Sequence, residues 1–320
     1  MHAAKSDNGF SILVNRRRLL GAAIIALLAV IQLFSPAHPD LWWQELFQAL
    51  HAPVFGLIAV CVVALTPLRW HWSKRLLVTM ASVFVLSLLS EAAQIPLPNR
   101  SASLGDLFRD WFGAGSFVAA AIAFSPNFHV PRGRGRYLIL LALLLMIWPL
   151  KALVCVSSAY WDRFQQVPSI APFKSPDARI FYELNNASSI QTVNASRQFR
   201  NEFRFGQTGS SSIKFHDPWS DWRPYSKLDI DVDNLSTEPL ALTIRIHDEA
   251  HLRGDQPHND RFNRRLEFAP GRHEIRVELQ DVRTAPVGRE MQMGRIDGLV
   301  LFGTGSVAGA RFVIHDIRLE

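Results

Sequence analysis

Long apolar runs constrain the fold of this chain more than any other feature of its sequence. Five such runs, separated by polar loops, occupy the first half of the 320 residues. A helix that crosses the hydrocarbon core of a bilayer needs roughly 20 mostly apolar residues, with about 17–25 as the working range. The runs therefore predict an α-helical transmembrane bundle of about five helices, at residues 19–35, 52–68, 76–95, 108–125 and 137–157.

Most basic residues of this half lie in alternate loops, at 16–18, 69–75 and 132–136, and Arg100 is the main cation of the intervening loops. Since basic loops stay on the cytoplasmic side, the N-terminus is predicted to be cytoplasmic. Five crossings then place the C-terminal half outside the cytoplasm of a multi-pass cell (inner) membrane protein. The first run also has the outline of a signal peptide, but no clear small-x-small cleavage site follows it, so we expect it to be retained. The formal charge of +6 is then explained by the basic loops that set the orientation in the membrane. No nucleic-acid partner is therefore expected.

Composition divides the chain into four parts. Residues 1–18 form a cytoplasmic N-terminus and residues 19–157 the transmembrane domain. Prolines at 168, 172 and 176 indicate a linker over residues 158–177. Residues 178–320 form the predicted extracytoplasmic domain.

Polar residues cluster near one predicted face of the membrane. Glu91 interrupts an apolar run, and Gln94, three residues on, shares its helix face. An ionised residue inside a membrane helix is costly, so it usually has a function. The alternative is that these groups are interfacial helix caps with a solvated counter-ion. We predict binding of a polar or lipid-linked ligand by a set of six residues: His51, Glu91, Gln94, Arg100, Asp106 and Asp110.

Part of this set resembles the core motif of the VanZ-like family of membrane proteins, which is named for a teicoplanin-resistance factor. The matching residues are Glu91-x-x-Gln94, Pro98-x-Arg100, Asp106, Gly113-x-Gly115 and the upstream pair of His51 and Phe55. The resemblance covers roughly residues 42–124. It departs from the family at Phe47-Gln48, where an Asp-Lys pair is usual, and at Asp110, where Asn is usual. It implies a small helical domain of the cell envelope, linked in some members to cell-envelope antibiotics.

The C-terminal half alternates apolar and polar residues with period two. Leu228, Ile230 and Val232 form one such run, and residues 240–246 and 275–279 form two more. Many short strands of this kind predict an all-β jelly-roll sandwich. Segments 219–232, 261–265 and 314–319 resemble carbohydrate-binding modules of the galactose-binding-like type.

That second resemblance implies glycan binding by exposed aromatic rings with polar neighbours. The candidates are Trp219, Trp222, Tyr225, Asp248, Asn259 and Arg264. Trp219 and Trp222 are equally suited to the core of the sandwich. Residues 247–251 contain histidines and acids, but an exposed loop of mixed charge is the commoner explanation, so no metal site is expected there.

Two functions remain open from the sequence. The first is a binding protein of the cell envelope, with membrane lipids or lipid-linked molecules and polysaccharide as partners. The alternative is a membrane hydrolase or transferase that acts on lipid head groups through Glu91, Asp106 and His51. The sequence contains no established catalytic motif and no complete metal-ligand set, and no cofactor is expected. A transporter is less favoured, because the polar groups lie at one face rather than at the midplane.

Overall fold

The computed structural model describes residues 4–33, 40–95, 103–125, 132–193, 199–304 and 307–320. The chain divides into two units, Met1–Val154 and Cys155–Glu320. The first is helical and the second is mainly β-structure. The two predicted fold classes are therefore both present.

Five long helices form the first half of the chain. They are α1 (Ala4–Leu33), α2 (Leu41–Leu65), α3 (Trp72–Gln94), α4 (Leu104–Phe124) and α5 (Arg132–Gln165). By length and composition α2, α3, α4 and α5 could each cross a membrane. The apolar part of α1, residues 19–33, is shorter than a typical span.

Side-chain caps define where two of these helices begin. The Asp40 carboxylate accepts a hydrogen bond from the Trp43 amide at 2.8 Å before α2. The Ser103 hydroxyl accepts one from the Gly105 amide at 3.1 Å before α4. Each cap satisfies one of the amides that the first helical turn leaves without a partner.

Helices α2 and α4 run parallel and in close contact. A Cβ atom built on Gly113 would lie 2.0 Å from the carbonyl oxygen of Ala52, and one built on Gly56 would lie 2.5 Å from the Phe117 ring. Small residues allow such close approach of membrane helices. Only glycine fits at position 113, so this residue sets the spacing of the two helices.

Large apolar side chains remain exposed on the helices. On α5 they include Leu140, Leu143 and Ile147, which are 52%, 63% and 60% exposed. Contiguous apolar surface of this kind is unfavourable in water and marks membrane or protein contact. The helices are thus compatible with a membrane protein by composition, length and surface.

Among the residues that the structure describes, ten strands form an antiparallel sandwich of two five-stranded sheets. The strand orders are β1-β4-β9-β6-β7 and β2-β3-β10-β5-β8. The strands are β1 (Tyr182–Asn185), β2 (Ala187–Val193), β3 (Phe199–Phe205), β4 (Ser210–Phe215), β5 (Lys227–Asn234), β6 (Leu240–Asp248), β7 (Phe262–Phe268), β8 (Gly271–Glu278), β9 (Ile296–Thr304) and β10 (Arg311–Leu319). Two short helices, α6 (Glu249–Arg253) and α7 (Leu279–Thr284), connect strands.

The period-two pattern places apolar residues inside the sandwich, as predicted. On β5, Leu228, Ile230 and Val232 are at most 2% exposed and belong to the core. The core also contains buried aromatic residues, among them Phe203 and Phe312, whose rings stack with centroids 5.8 Å apart. The intervening residues of β5 consequently point to the opposite face of its sheet.

The segment expected to be a linker, residues 158–177, is ordered. Helix α5 continues to Gln165, and Ile170 and Phe173 join the sandwich core. Apolar residues between the prolines are therefore buried in the second unit.

An arginine cage ties the last turns of α5 to the sandwich. The Arg163 guanidinium lies over the rings of Tyr160, Phe181 and Trp219, 4.2–4.6 Å from their centroids. It also donates a hydrogen bond to the Asp217 carbonyl oxygen at 2.6 Å. These aromatic and backbone contacts make the end of α5 part of the second unit.

Candidate functional site

Three of the predicted polar residues meet inside the helical unit. His51 on α2, Glu91 on α3 and Asp110 on α4 are 4%, 6% and 0% exposed. One ligand atom from each lies within 4.8 Å of the other two. His51 Nδ1 is 3.0 Å from Asp110 Oδ1. We call these three residues the helix cluster.

Neighbouring groups hold the two carboxylates in place. The Ser87 hydroxyl donates a hydrogen bond to Asp110 Oδ2, and the Ser103 amide donates one to Glu91 Oε2 at 2.7 Å. The close contact between α2 and α4 brings His51 and Asp110 together, since Gly113 lies one turn beyond Asp110. The cluster is therefore built from three helices and fixed by backbone and hydroxyl donors.

The remaining residues of the predicted set lie in other environments. Asp106 accepts a hydrogen bond from Arg109 at 2.6 Å on the same helix. Gln94 is 2% exposed, and its Nε2 has no hydrogen-bond partner among the described residues. Arg100 falls within 96–102, outside the described residues.

A second polar site lies on the sheet that contains β5. It is a groove of about 600 Å³. Its charged lining comprises five cationic and five acidic side chains: Lys174, Arg200, Arg272, Arg276, Arg318, Asp229, Asp231, Glu274, Asp316 and Glu320. His315 and Phe199 also line it. We call this site the sheet groove.

Cross-strand ion pairs order the sheet groove. Asp231 on β5 binds both Nε and Nη2 of Arg272 on β8, at 2.8 and 2.5 Å. Asp229 binds Arg276 in the same bidentate way at 3.0 and 3.1 Å. Hydrogen bonds from these arginines lower the pKa of each carboxyl below its usual value. Both carboxylates are consequently ionised at neutral pH.

Several buried polar atoms around the sheet groove lack a hydrogen-bond partner within the described parts of the chain. They are His315 Nε2, Arg200 Nε and Arg318 Nε. Burial lowers the pKa of His315, so its imidazole is neutral at pH 7. Buried polar groups in folded proteins are normally satisfied, by protein, water or ligand. These three atoms are shielded from solvent, so they are not part of the surface that the groove presents.

The aromatic glycan candidates from the sequence lie outside the groove lining. Trp222 is fully buried and donates its indole N–H to the Pro218 carbonyl oxygen at 2.7 Å. Trp219 packs partly against the core, and its indole N–H donates to the Ser169 carbonyl oxygen at 2.7 Å. Tyr225 also packs against the core. Trp222 therefore presents no ring face to a ligand in this structure.

The polar glycan candidates are also separate from the groove lining. Asp248 is fully buried and binds Arg289 at 2.7 and 2.9 Å. Although burial alone would raise its pKa, hydrogen bonds from Arg289 and two backbone amides lower it. Asn259 and Arg264 are exposed. Asp248 thus stabilises the fold, and Asn259 and Arg264 remain predictions.

Sequence reasoning missed the residues of the sheet groove. One signal was present, because Asp229, Asp231 and Asp233 alternate with the apolar residues of β5 and must share one face. Their arginine partners follow some forty residues later, so the pairing became visible only with the register of β5 and β8.

Solved structures with a similar fold include two carbohydrate-binding modules from Clostridium thermocellum. One belongs to family 11, in complex with a β-1,3-1,4-mixed-linked tetrasaccharide (11% identity, 44% of this chain and 88% of that chain, TM-score 0.35). The other belongs to family 30 (11% identity, 44% and 90%, TM-score 0.34). An agarase is matched over 24% of its length (17% identity, 44% of this chain, TM-score 0.34). Similarity this weak assigns no ligand to the present chain.

No protein-family model matches the chain. No curated protein matches it either. The VanZ-like resemblance therefore depends on the motif residues alone and stays a prediction.

Proposed function

We propose that this chain is a membrane-anchored protein of the cell envelope that binds a neutral polysaccharide in the sheet groove. The observation that carries the proposal is the equal number of cationic and acidic side chains, five of each, lining one groove of about 600 Å³. A volume of 300–1,000 Å³ is the ordinary range for a small-molecule site. The groove is large enough for a few sugar residues.

The chemistry of the lining favours hydroxyl groups over ionised ones. Each sugar hydroxyl donates and accepts a hydrogen bond, and the groove offers carboxylate acceptors beside guanidinium donors. A polyanion would meet five acidic side chains, and a polycation would meet five basic ones. The Phe199 ring offers an apolar surface for a sugar face.

Ion pairing prepares the groove for binding. Because Arg272 and Arg276 are already held by Asp231 and Asp229, little side-chain entropy is lost when a ligand binds. Outer hydrogen-bonding positions of the guanidinium groups remain available. A rigid polar surface is what selective recognition of a polyhydroxylated ligand requires.

Membrane anchoring is supported by the four long apolar helices. If α1 is counted as a fifth crossing, the distribution of basic loops favours a cytoplasmic N-terminus and a sandwich on the outer side of the cell membrane. A reporter that works only outside the cytoplasm should be active when it is fused at Glu320. Activity only inside the cytoplasm would contradict this orientation.

The binding experiment uses the full chain in nanodiscs and isothermal titration calorimetry. Neutral probes are mixed-linkage β-glucan and agarose oligosaccharides, and alginate is the anionic probe. We expect binding to a neutral probe and at least about tenfold weaker binding in Arg272→Gln, because a hydrogen bond to a charged group contributes about 1.5–3 kcal/mol. Arg265→Gln is the matched control, since Arg265 pairs with Glu267 on β7, away from the groove lining. Preferential binding of alginate, or equal affinity in both variants, would refute the proposal.

A second candidate function concerns the helix cluster, which would bind a polar or anionic lipid-linked molecule at the outer face. The convergence of His51, Glu91 and Asp110 favours it. The VanZ-like interpretation, with its link to teicoplanin resistance, belongs to this candidate. Binding of lipid-linked cell-wall precursors should weaken in Asp110→Asn, and unchanged binding would remove this candidate.

The enzymatic alternative uses the same region. Glu91 and His51 could serve as acid and base on a lipid head group, whereas Asp106 is already paired with Arg109 at 2.6 Å. Turnover of a labelled lipid by the full chain, abolished in Glu91→Gln, would favour hydrolysis or transfer over binding.

A further inference from the structure

Two arginines lie on the sheet that does not contain β5, and neither has an acidic partner. Arg245 is on β6, and Arg261 directly precedes β7. Within the described residues, neither side chain takes part in a hydrogen bond or an ion pair. By contrast, Arg265 on β7 binds Glu267 at 3.0 Å. We call Arg245 and Arg261 the two-arginine patch.

Strand register brings the two guanidinium groups of the patch together. Asn263 on β7 is the ladder partner of Arg245, and Arg261 lies two residues before Asn263. Alternate residues of a strand share a face, and long side chains at diagonal positions of neighbouring strands are within reach of one another. Burial, and then the charge of Arg261, lower the pKa of Arg245. Two positive charges therefore lie side by side on this face.

The surroundings of the patch limit its contact with water. Val300, the β9 partner of Arg245, is 9% exposed, and His247, two residues further along β6, is 2% exposed. The Asp297 carboxylate lies 3.6 Å from His247 Nε2 and pairs with neither arginine. The Nε atom of each arginine is shielded from solvent, whereas the Nη nitrogens remain accessible. The patch thus combines partly desolvated charge with donors that a ligand can reach.

Charge and geometry indicate the class of ligand. A guanidinium group stays protonated in proteins, so the patch cannot relieve the repulsion by losing a proton. A phosphate monoester carries about −1.5 to −2 charges at pH 7 and presents three acceptor oxygens. Each guanidinium can bind two of these oxygens in a fork. A carboxylate has a single charge and two oxygens, so it balances one of the two arginines only.

We infer that the two-arginine patch binds a dianionic phosphate group, either as free phosphate or as a phosphate monoester. The group would lie between β6 and the start of β7 and would accept hydrogen bonds from the Nη atoms of both side chains. This site is on the other sheet from the sheet groove. It does not depend on glycan binding there.

The test uses the full chain in phosphatidylcholine nanodiscs and isothermal titration calorimetry with inorganic phosphate. The titration is run at about pH 8, where this phosphate is mainly a dianion, and at constant ionic strength. We expect about one equivalent to bind the wild type and at least about tenfold weaker binding in Arg245→Gln and in Arg261→Gln. Unchanged affinity in both variants would overturn the inference.

Arg311→Gln is the matched control. It also removes one positive charge, but Arg311 is on β10 of the other sheet and binds Glu202 at 2.7 Å. Its phosphate affinity should equal that of the wild type. An equal loss in Arg311→Gln would show that phosphate responds to net charge alone, contrary to the inference. Arg245→Gln is expected to fold, because it removes a like-charge repulsion and breaks no hydrogen bond.

Thermal unfolding of the wild type covers the case in which a variant fails to fold. Phosphate should raise Tm more than acetate does at the same ionic strength, and equal effects of the two anions would overturn the inference. Nanodiscs that contain phosphatidic acid, a lipid phosphate monoester, separate the two sources. If the lipid head group is the ligand, they raise Tm of the wild type above that of Arg245→Gln without added phosphate. If free phosphate is the ligand, only inorganic phosphate does so.

Discussion

The helix cluster and the sheet groove use the same residue types under opposite conditions. The Asp110 side chain is fully buried in the cluster, whereas those of Asp229 and Asp231 in the groove are 21% and 20% exposed. The groove lining has five acidic and five basic side chains, whereas in the cluster His51 contacts the buried Asp110 at 3.0 Å. A buried charge needs a stabilising partner within the protein. Water can stabilise a partly exposed charge instead.

This difference determines what each site offers a ligand. Exposed ion pairs contribute about 0–1 kcal/mol, so the groove can exchange partners at low cost. Removing one partner from a buried pair costs about 3–5 kcal/mol. The contacts of the cluster are accordingly expected to stay fixed, and the groove is suited to bind and release a neutral polymer.

The largest effect is expected for Asp110→Ala. This change leaves His51 and the Ser87 hydroxyl buried without their carboxylate, at a cost of about 3–5 kcal/mol. Thermal unfolding of the purified chain, followed by circular dichroism at 222 nm, measures the loss. A loss below about 1 kcal/mol would mean that water reaches the cluster and that the contrast with the groove is wrong.

A smaller effect is expected for Gly113→Ala. Its Cβ atom would lie 2.0 Å from the Ala52 carbonyl oxygen, so α2 and α4 must separate. Overpacking of this kind costs typically about 1–3 kcal/mol. The same thermal assay measures the loss, part of which comes from His51 moving away from Asp110. Gly133→Ala is the control, since nothing lies within 4 Å of a Cβ atom there.

A still smaller change in stability is expected for Arg272→Gln in the groove. The Asp231 carboxylate remains partly solvated, so the loss should be about 1 kcal/mol or less. Urea unfolding monitored by tryptophan fluorescence measures it. Glycan affinity should fall more than stability does. If Arg272→Gln lowered the free energy of unfolding as much as Asp110→Ala does, the ion pairs of the groove would behave as buried pairs, contrary to the comparison with the helix cluster.

The smallest effect concerns pH. Asp229 and Asp231 have lowered pKa values in the folded chain, so their contribution to stability is present above the unfolded value of about 3.9. It is lost as the pH falls through their lower folded values. We expect the wild type and Asp229→Asn/Asp231→Asn to converge in stability as the pH falls from 5 to 2. A constant difference across this range would contradict the pKa shifts.

Local patterns predicted the elements well, whereas pairing between distant segments did not follow from them. Apolar runs gave the helices, and alternation on β5 gave its buried face. Three residues of the predicted polar set, His51, Glu91 and Asp110, lie together, whereas Asp106 pairs with Arg109 on its own helix. The arginine partners of Asp229 and Asp231 depend on strand register, which no local pattern encodes.

Composition was a poor guide where one residue type serves two purposes. Trp222 is a typical sugar platform and equally a core residue, and the structure places it in the core. The prolines before residue 177 indicated a linker, but the residues between them, such as Phe173, are buried. The choice in each case depends on tertiary packing.

The arginine cage at the end of α5 determines where a fragment that contains the sandwich alone should begin. Tyr160, Arg163, Ile170 and Phe173 all contribute to the second unit. A fragment that starts at the predicted boundary, residue 178, would leave a hydrophobic opening and should aggregate when expressed alone. A fragment that begins at Cys155 would keep the aromatic rings and their guanidinium together, and it is the rational starting point for producing the sandwich in soluble form.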